Sequence, residues 1–353
     1  MPDVLKAANP GLVLEFAPRL VRWQRSHGRS QLPWQHTRDP YRVWLSEIML
    51  QQTQVSTVLG YYARFLERFP SVADLAAAHP DEVLGLWSGL GYYSRARNLH
   101  RCAQAVVSDH GGEFPRSAQG LASLPGIGPS TAAAVASFCF DERAAILDGN
   151  VKRVLTRVLG FEDDLSRSAA EKELLALAQE LLPAQGQDMP AYTQGIMDLG
   201  ATVCQQKKPQ CLLCPMNALC AARAQGQPER YPVKSRRIKR SSHSLWLLWA
   251  ERADGSVWLE RRPDQGIWGG LYCLPVFDSE EALAQRLTPG QVKKAQVLQP
   301  FLHVLTHRDL HLHPVRLSWP QAADLSEVGQ WFSQPKWVAA GLPAPVRKLL
   351  LST

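Results

Sequence analysis

Four cysteines, two carboxylates and a glycine-rich turn are the residues of this chain whose types and spacing carry chemistry. Cys204, Cys211, Cys214 and Cys220 stand in the order C-x6-C-x2-C-x5-C. Four thiolates brought together repel one another, and a soft cation or an iron–sulfur cluster offsets that repulsion. Chemistry alone leaves structural zinc open, because four thiolates are a zinc ligand set too. Glu47 lies in a mostly apolar stretch, Val43 to Val55, where Glu47, Gln51 and Gln54 recur at i, i+4 and i+7. That spacing puts one narrow polar stripe on an otherwise buried helix. A carboxylate there either reaches solvent or is buried, and burial would let it keep a proton near neutrality and donate it. Asp148 follows the apolar pair Ile146-Leu147 at a loop-to-helix junction, where a helix cap is the simplest role. Pro125-Gly126-Ile127-Gly128-Pro129 precedes a run of small apolar residues from Thr131 to Phe140. Glycines allow close backbone approach, and N–H groups at a helix start suit an anion such as phosphate. Pro129 fits a first helical position, where its missing N–H costs nothing.

Helical periodicity accounts for the elements that must hold these residues. It is read over Leu12 to Arg25, over Tyr41 to Phe69 as one helix or two, and over Asp81 to Trp87, Tyr92 to Ser108 and Ser117 to Ala122. It continues over Thr131 to Phe140, Val151 to Leu159, Ala169 to Leu182 and Met189 to Val203. No β pattern interrupts residues 1–225, which read as one helical domain with a helix-hairpin-helix at about 117–140 and the cysteine loop at 204–220. Residues 226–243 read as a linker. Lys234 to Arg240 puts five positive charges and no acid into seven residues, which suits a solvated linker or a phosphate-contacting strap. From 244 to 353 the period shifts. Leu245 to Trp249 and Val257 to Glu260 flank Asp254-Gly255 as a hairpin. Leu271 to Phe277, Val304 to Leu305, Leu310 to Leu317 and Lys336 to Val338 are further strands, with helices at Glu280 to Leu287 and Val346 to Leu351. This is an α+β domain.

A chain of 353 residues is long enough for two cores. Its formal charge of +7 leans toward a polyanionic partner. The beginning MPDVLKAANPG has no basic segment followed by an apolar core, and no apolar run is long enough to span a membrane. Cytoplasmic residence is expected, with nucleoid association if the protein is bacterial. Clustering of four cysteines out of seven fits a reduced compartment with one metal or cluster site better than a disulfide framework.

Taken together, the glycine hairpin, the downstream Asp148 and the four-cysteine loop resemble the helix–hairpin–helix DNA glycosylases of endonuclease III type. In that family the loop carries a [4Fe–4S] cluster, and the spacing here matches. The resemblance therefore implies an iron–sulfur loop on Cys204, Cys211, Cys214 and Cys220, fixing Lys207 and Lys208 against the DNA backbone. Leu32-Pro33-Trp34, the Glu47 segment and Gly89 to Leu99 are similar to one branch of the family, the MutY-type adenine DNA glycosylases, over about residues 20–222. That branch implies a monofunctional enzyme that flips adenine out of duplex DNA opposite 8-oxoguanine or guanine and cuts its N-glycosidic bond. Glu47 is then the general acid on adenine N7. Asp148 opposes the oxocarbenium charge or bonds transiently to C1′, supported by Asn150. Arg29, Trp34 and Gln194 line the adenine pocket, Gln51 and Tyr92 wedge into the duplex, and Gly126 and Gly128 bind phosphate. Strand-cutting relatives carry a lysine two residues past the second glycine. Here Ser130 stands there, a neutral hydroxyl that forms no Schiff base, and it keeps only a supporting role. Lys152 reads first as a phosphate contact, and second as an amine that meets the opened sugar.

Gly266 to Pro275 resembles the glycine and tryptophan segment of a Nudix-like fold. The stretch Ser279 to Leu287 lacks the glutamate-rich R-E-x-x-E-E core that holds Mg²⁺ in a Nudix hydrolase. The resemblance implies a domain that reads 8-oxoguanine. The family's Phe-Ser-His loop matches Leu305, Thr306 and His307, so the hydroxyl and imidazole survive and the aromatic ring is lost. Leu310 to Val315 reads as a strand, and no cysteine or acidic cluster accompanies His303, His307, His311 and His313, which argues against a second metal site. A strand-cutting pyrimidine-lesion glycosylase, a non-catalytic lesion binder and a nucleotide pyrophosphatase are the competing readings. Ser130, the pair Glu47 and Asp148, and the missing glutamate box argue against them in turn. A monomer acting on duplex DNA, away from membranes, is expected.

Overall fold

The computed structural model describes residues 11–235, 240–320 and 324–352. The N-terminal ten residues and positions 236–239 of the basic run lie outside them, and so do the readings made on those stretches.

Between residues 11 and 225 the described chain is helical. α1 (Leu12–His27), α2 (Pro40–Leu50), α3 (Val55–Arg68), α4 (Val72–Ala77), α5 (Pro80–Trp87) and α6 (Ser94–His110) come first. α7 (Ala118–Ala122), α8 (Pro129–Phe140), α9 (Gly149–Leu159), α10 (Ser168–Glu180), α11 (Met189–Asp198) and α12 (Ala221–Ala224) follow. Local chemistry sets their ends. Asp39 caps α2 by accepting from the Tyr41 N–H at 2.9 Å, with Pro40 at the first turn. The stretch Tyr41 to Phe69 is two helices, broken after Leu50 where Gln52 takes φ +54°. Ser117 caps α7, and Gly126 at φ +76° turns the chain so that Pro129 opens α8. α9 ends on Gly160 at φ +64°, a left-handed C-cap. Past α11 the helix does not stop at Asp198; it widens into a π-helical turn, Leu199–Val203.

The chain gathers into two compact units, and the grouping cuts across chain order. The first comprises Met1–Gln52, Ser71–Ala73 and Cys102–Arg237. In it α1 packs on α11, and α2 and α11 pack on α8. Phe16, Leu20, Val154, Leu155, Leu174, Leu177 and Leu199 form one continuous buried core. Each such side chain contributes roughly 1.5–3 kcal/mol by leaving water. α2 is buried on most of its circumference, including Val43, Trp44, Leu45, Ile48 and Met49, as its composition requires.

The second unit comprises Thr53–Pro70, Asp74–Arg101 and Ile238–Thr353. Its sheet has strands β1 (Ser241–Glu251), β2 (Val257–Arg261), β3 (Tyr272–Cys273), β4 (Val276–Phe277), β5 (Gln296–Val297), β6 (Phe301–Val304), β7 (Arg308–Ser318) and β8 (Gly329–Phe332). The order is β3-β2-β1-β7-β5, with β4 on β1, β6 on β7 and β8 on β2. β1 and β7 run parallel from Ser241↔Arg308 to Glu251↔Ser318, and every other pairing is antiparallel. Leu245, Leu247 and Trp249 bury on one face, Leu248 on the other with Val315 and Leu283. That double coverage explains why β1 is apolar without alternation. The Asp254-Gly255 turn is present: Asp254 accepts from the Ser256 N–H at 2.9 Å, and Gly255 has φ +78°. One expectation is corrected. Lys336 to Val338 is not a strand but part of the helix Gln334–Ala339, which Pro335 opens at its first turn and Trp337 anchors in the core.

The first unit is thus mainly helical around a helix-hairpin-helix, and the C-terminal region is a mixed sheet. Among the described residues, no helix is long and apolar enough to cross a membrane.

Candidate active site

α2, the segment before it and α11 bound a cleft of about 360 Å³ in the first unit. Glu47 lies on its wall with Arg29, Trp34, Gln194 and Phe138. The volume is in the range of small-molecule sites. The Glu47 carboxyl is pushed up to about 7, first by burial and second by the charge of Asp148. Glu47 therefore divides between acid and carboxylate near neutral pH, the condition for a group that first gives and then takes a proton.

Asp148 is the N-cap of α9. Its Oδ1 accepts from the Val151 N–H at 2.7 Å. One carboxylate oxygen is thereby tied to the helix start, and the helix N-terminus favours the negative charge. Ser130 lies one residue into α8 and braces the approach to Asp148, its Oγ accepting from the Leu147 N–H at 3.1 Å. Asn150 accepts from Arg153 at 2.9 Å, and the same guanidinium donates to the carbonyls of Gly200 and Cys204 at 2.6 and 2.8 Å. Nothing in the sequence marks Arg153; it ties the start of α9 to the π turn.

A second unforeseen residue organises two of the expected residues on the cleft wall. Asp198 is only 1% exposed. It accepts from the Arg29 backbone N–H at 2.8 Å and from Arg29 Nε at 2.6 Å, and Gln194 Nε2 donates to it at 2.8 Å. A buried carboxylate with three donors is satisfied, and it fixes both side chains on the cleft wall. The i, i+4 spacing of Gln194 and Asp198 is visible in the sequence; Arg29, 169 positions away, is not.

Gln51, at the end of α2, donates to Thr131 Oγ1 at 3.3 Å, which links the Glu47 helix to α8. A Cβ added to Gly128 meets nothing within 4 Å. Packing does not demand glycine there, and the start of α8 stays open to a ligand. Lys152 donates to Glu171 in an ion pair, so its ammonium already has an anion.

The remaining expected contacts fall in the second unit. Tyr92 is 44% exposed and takes φ +47° after Gly91. Its hydroxyl meets the Thr306 hydroxyl, and the Arg95 guanidinium sits 5.6 Å from its ring centre. His307 is exposed, and its carbonyl accepts from the Ser241 N–H at 3.1 Å.

The cysteine loop corrects the cofactor expectation. Among the described residues, no group of three or more His, Cys, Asp or Glu side chains is placed to hold a metal ion. Neither the [4Fe–4S] cluster nor zinc on Cys204, Cys211, Cys214 and Cys220 is borne out. The loop is braced by protein instead. Arg157, 1% exposed, donates to Cys204 Sγ at 3.3 Å and to the Gln205 and Gln206 carbonyls at 2.7 and 3.0 Å. Cys220 Sγ donates to the Arg157 carbonyl at 3.3 Å. Burial pushes the Cys214 thiol up to about 12 and raises Cys220 as well, with smaller contributions from the neighbouring cysteines of the loop.

The family pattern of the HhH-GPD superfamily base excision DNA repair proteins matches residues 45–183, which include Glu47, the glycine hairpin and Asp148. A NUDIX domain matches residues 246–352. The adenine DNA glycosylase of Buchnera aphidicola subsp. Acyrthosiphon pisum is 34% identical over 340 residues, covering 95% of this chain and 96% of its own. That of Mus musculus is 35% identical over 402 residues, covering 96% of this chain and 77% of its own. Among solved structures, a thermostable thymine-DNA glycosylase is 30% identical with a TM-score of 0.55, over 61% of this chain and 98% of its own. The chain belongs to the adenine DNA glycosylase family, enzymes that hydrolyse N-glycosidic bonds in DNA.

Proposed function

We propose that this enzyme removes adenine lying opposite 8-oxoguanine or guanine in duplex DNA and leaves the strand uncut. The observation that carries the reading is Glu47: a carboxyl raised to about 7, on the wall of a base-sized cleft, under the influence of Asp148. The adenine leaves the stack at a cost of a few kcal/mol and enters the cleft. Arg29, Trp34 and Gln194 orient it. Glu47 gives its proton to N7, and the C1′–N9 bond breaks with both electrons going to the base. Asp148 opposes the positive charge that develops on the sugar, held in register by its tether to Val151 and by Asn150. Water adds to C1′ and its proton returns to Glu47.

Gly126, Gly128 and the start of α8 hold a phosphate of the distorted strand, Gln51 enters the gap, and Lys152 contacts phosphate. Ser130, without an amine, supports the Asp148 loop and forms no covalent link to the sugar. Tyr92, Thr306 and His307 read the 8-oxoguanine side. In this reading residues 1–225 form the catalytic domain, 226–243 the linker and 244–353 the reader of the opposite base.

The test offers duplexes with adenine opposite 8-oxoguanine, adenine opposite guanine, and a pyrimidine lesion, developed with and without alkali. Adenine loss with strand breaks only after alkali is expected. Breaks without alkali at the rate of base loss, or preference for the pyrimidine lesion, would refute the reading.

A further inference from the structure

Beyond its interior, the cleft has a rim on which two arginines are already paired. Arg25, in the last turn of α1, donates to Asp188 at 2.7 Å. Asp188 immediately precedes α11. Arg38, just before α2, makes a forked pair with Asp141 at 2.6 and 2.9 Å. Asp141 is the left-handed C-cap of α8, at φ +57°. Arg25 and Arg38 both line the cleft that contains Glu47. Their side chains are 62% and 59% exposed, unlike Arg29, whose partner Asp198 is buried.

Exposure decides what these pairs can do. A solvent-exposed ion pair contributes little to stability, so losing its carboxylate costs the fold little. A guanidinium fork that fits a carboxylate fits a phosphate equally well, and the phosphate backbone supplies most of the electrostatic attraction between protein and DNA. A duplex whose nucleotide enters this cleft must bring its flanking phosphates to the rim. We propose that Arg25 and Arg38 are exchangeable phosphate contacts: Asp188 and Asp141 hold them in place in the free enzyme, and the phosphates flanking the extruded nucleotide replace those carboxylates. The inference rests on the reading that a flipped base occupies the cleft. The aspartates have two opposed effects in it. They preorganise the arginines, and they compete with DNA for them.

The competition yields a test with opposite signs. Arg38→Gln and Asp141→Asn break the same ion pair, so a purely structural brace predicts the same change for both. Exchange predicts that they part. Full-length protein is titrated with a duplex carrying a non-hydrolysable adenine nucleotide opposite 8-oxoguanine, and with the same duplex carrying A·T, between about 50 and 200 mM salt. Arg38→Gln and Arg25→Gln are expected to weaken binding about tenfold at low salt, the size of one charged hydrogen-bonded contact. They should also lower the slope of log affinity against log salt by about one, the signature of one lost phosphate contact. Asp141→Asn and Asp188→Asn are expected to bind about threefold more tightly than the parent, with its slope intact, because a weak competitor has been removed. Weakening by the Asn variants in step with the Gln variants overturns the proposal, as does an unchanged salt slope in both Gln variants. Melting temperatures within each pair are measured alongside; a variant that unfolds is replaced by Arg38→Met or Asp141→Ser, to which the same criteria apply. A parent enzyme that does not distinguish the two duplexes would instead refute the adenine reading itself.

Discussion

The two candidate recognition sites of this protein are built on opposite plans. In the first unit, the groups assigned to chemistry hang on helix ends and helix interiors, and buried partners fix them: Asp148 by the start of α9, Arg29 and Gln194 by Asp198. In the second unit, Tyr92 and Thr306 touch at an exposed turn and a strand tip, with a hydroxyl contact and a cation–π neighbour as their support. Burial raises Glu47 to about 7 in the first unit; at the second corner the groups in contact are two hydroxyls, Tyr92 and Thr306. The contrast teaches that a protein shifts pKa values where it excludes water, and reads shape and hydrogen bonds where it does not.

Perturbing each side should break the symmetry between them. The largest effect is expected from Glu47→Gln: single-turnover excision falls roughly 10²–10⁴-fold while duplex binding is kept, measured by burst kinetics and titration. Equal loss in a Tyr92 or Thr306 variant would erase the distinction. The second effect is on pH. The folded Glu47 keeps its proton to about 7, whereas the unfolded carboxyl loses it near 4.5. Between those values the folded state binds the extra proton, so stability falls as pH rises through the window, by about 3 kcal/mol in total. Denaturant unfolding at about pH 4 and about pH 8, either side of that window, checks this: Glu47→Gln should gain on the parent at the higher pH and match it at the lower. Excision by the parent, which needs the protonated acid, should decline as pH rises above about 7. Third, Ser130→Ala strands the Leu147 N–H and should cost about 1–3 kcal/mol of stability, with slower excision and still no strand cutting. The smallest effect belongs to the exposed corner. Thr306→Val should reduce the preference for 8-oxoguanine over guanine by about fivefold, near 1 kcal/mol, and leave turnover opposite guanine unchanged.

What the residues disclosed in advance depended on distance along the chain. Local signals served well. Pro129 marks the start of α8 because helix starts are set by neighbours within a few positions. Glu47 stands out because its surroundings on α2 are apolar. Asp198 and Arg153 do not, because their partners arrive from far along the chain. Lys336 to Val338 resembles a strand on three residues, too few to distinguish the two periods, and Pro335 opens a helix instead. The cofactor expected from the cysteine spacing is corrected, since spacing says which thiols can meet and not whether their side chains are placed to hold a metal.

Gly200 has no side chain, yet it bears on the groups proposed to react. A Cβ there would stand 2.8 Å from the Cβ of Asn150 and 3.1 Å from its carbonyl oxygen, on the first turn of the helix that Asp148 caps. The π turn delivers that bare backbone to the helix like a shim cut to thickness. A random-mutagenesis screen for lost excision should therefore score position 200 beside Asp148, with Gly200→Ala folding and binding DNA but turning over slowly. In such a map the silence of a side chain would read as an active-site residue.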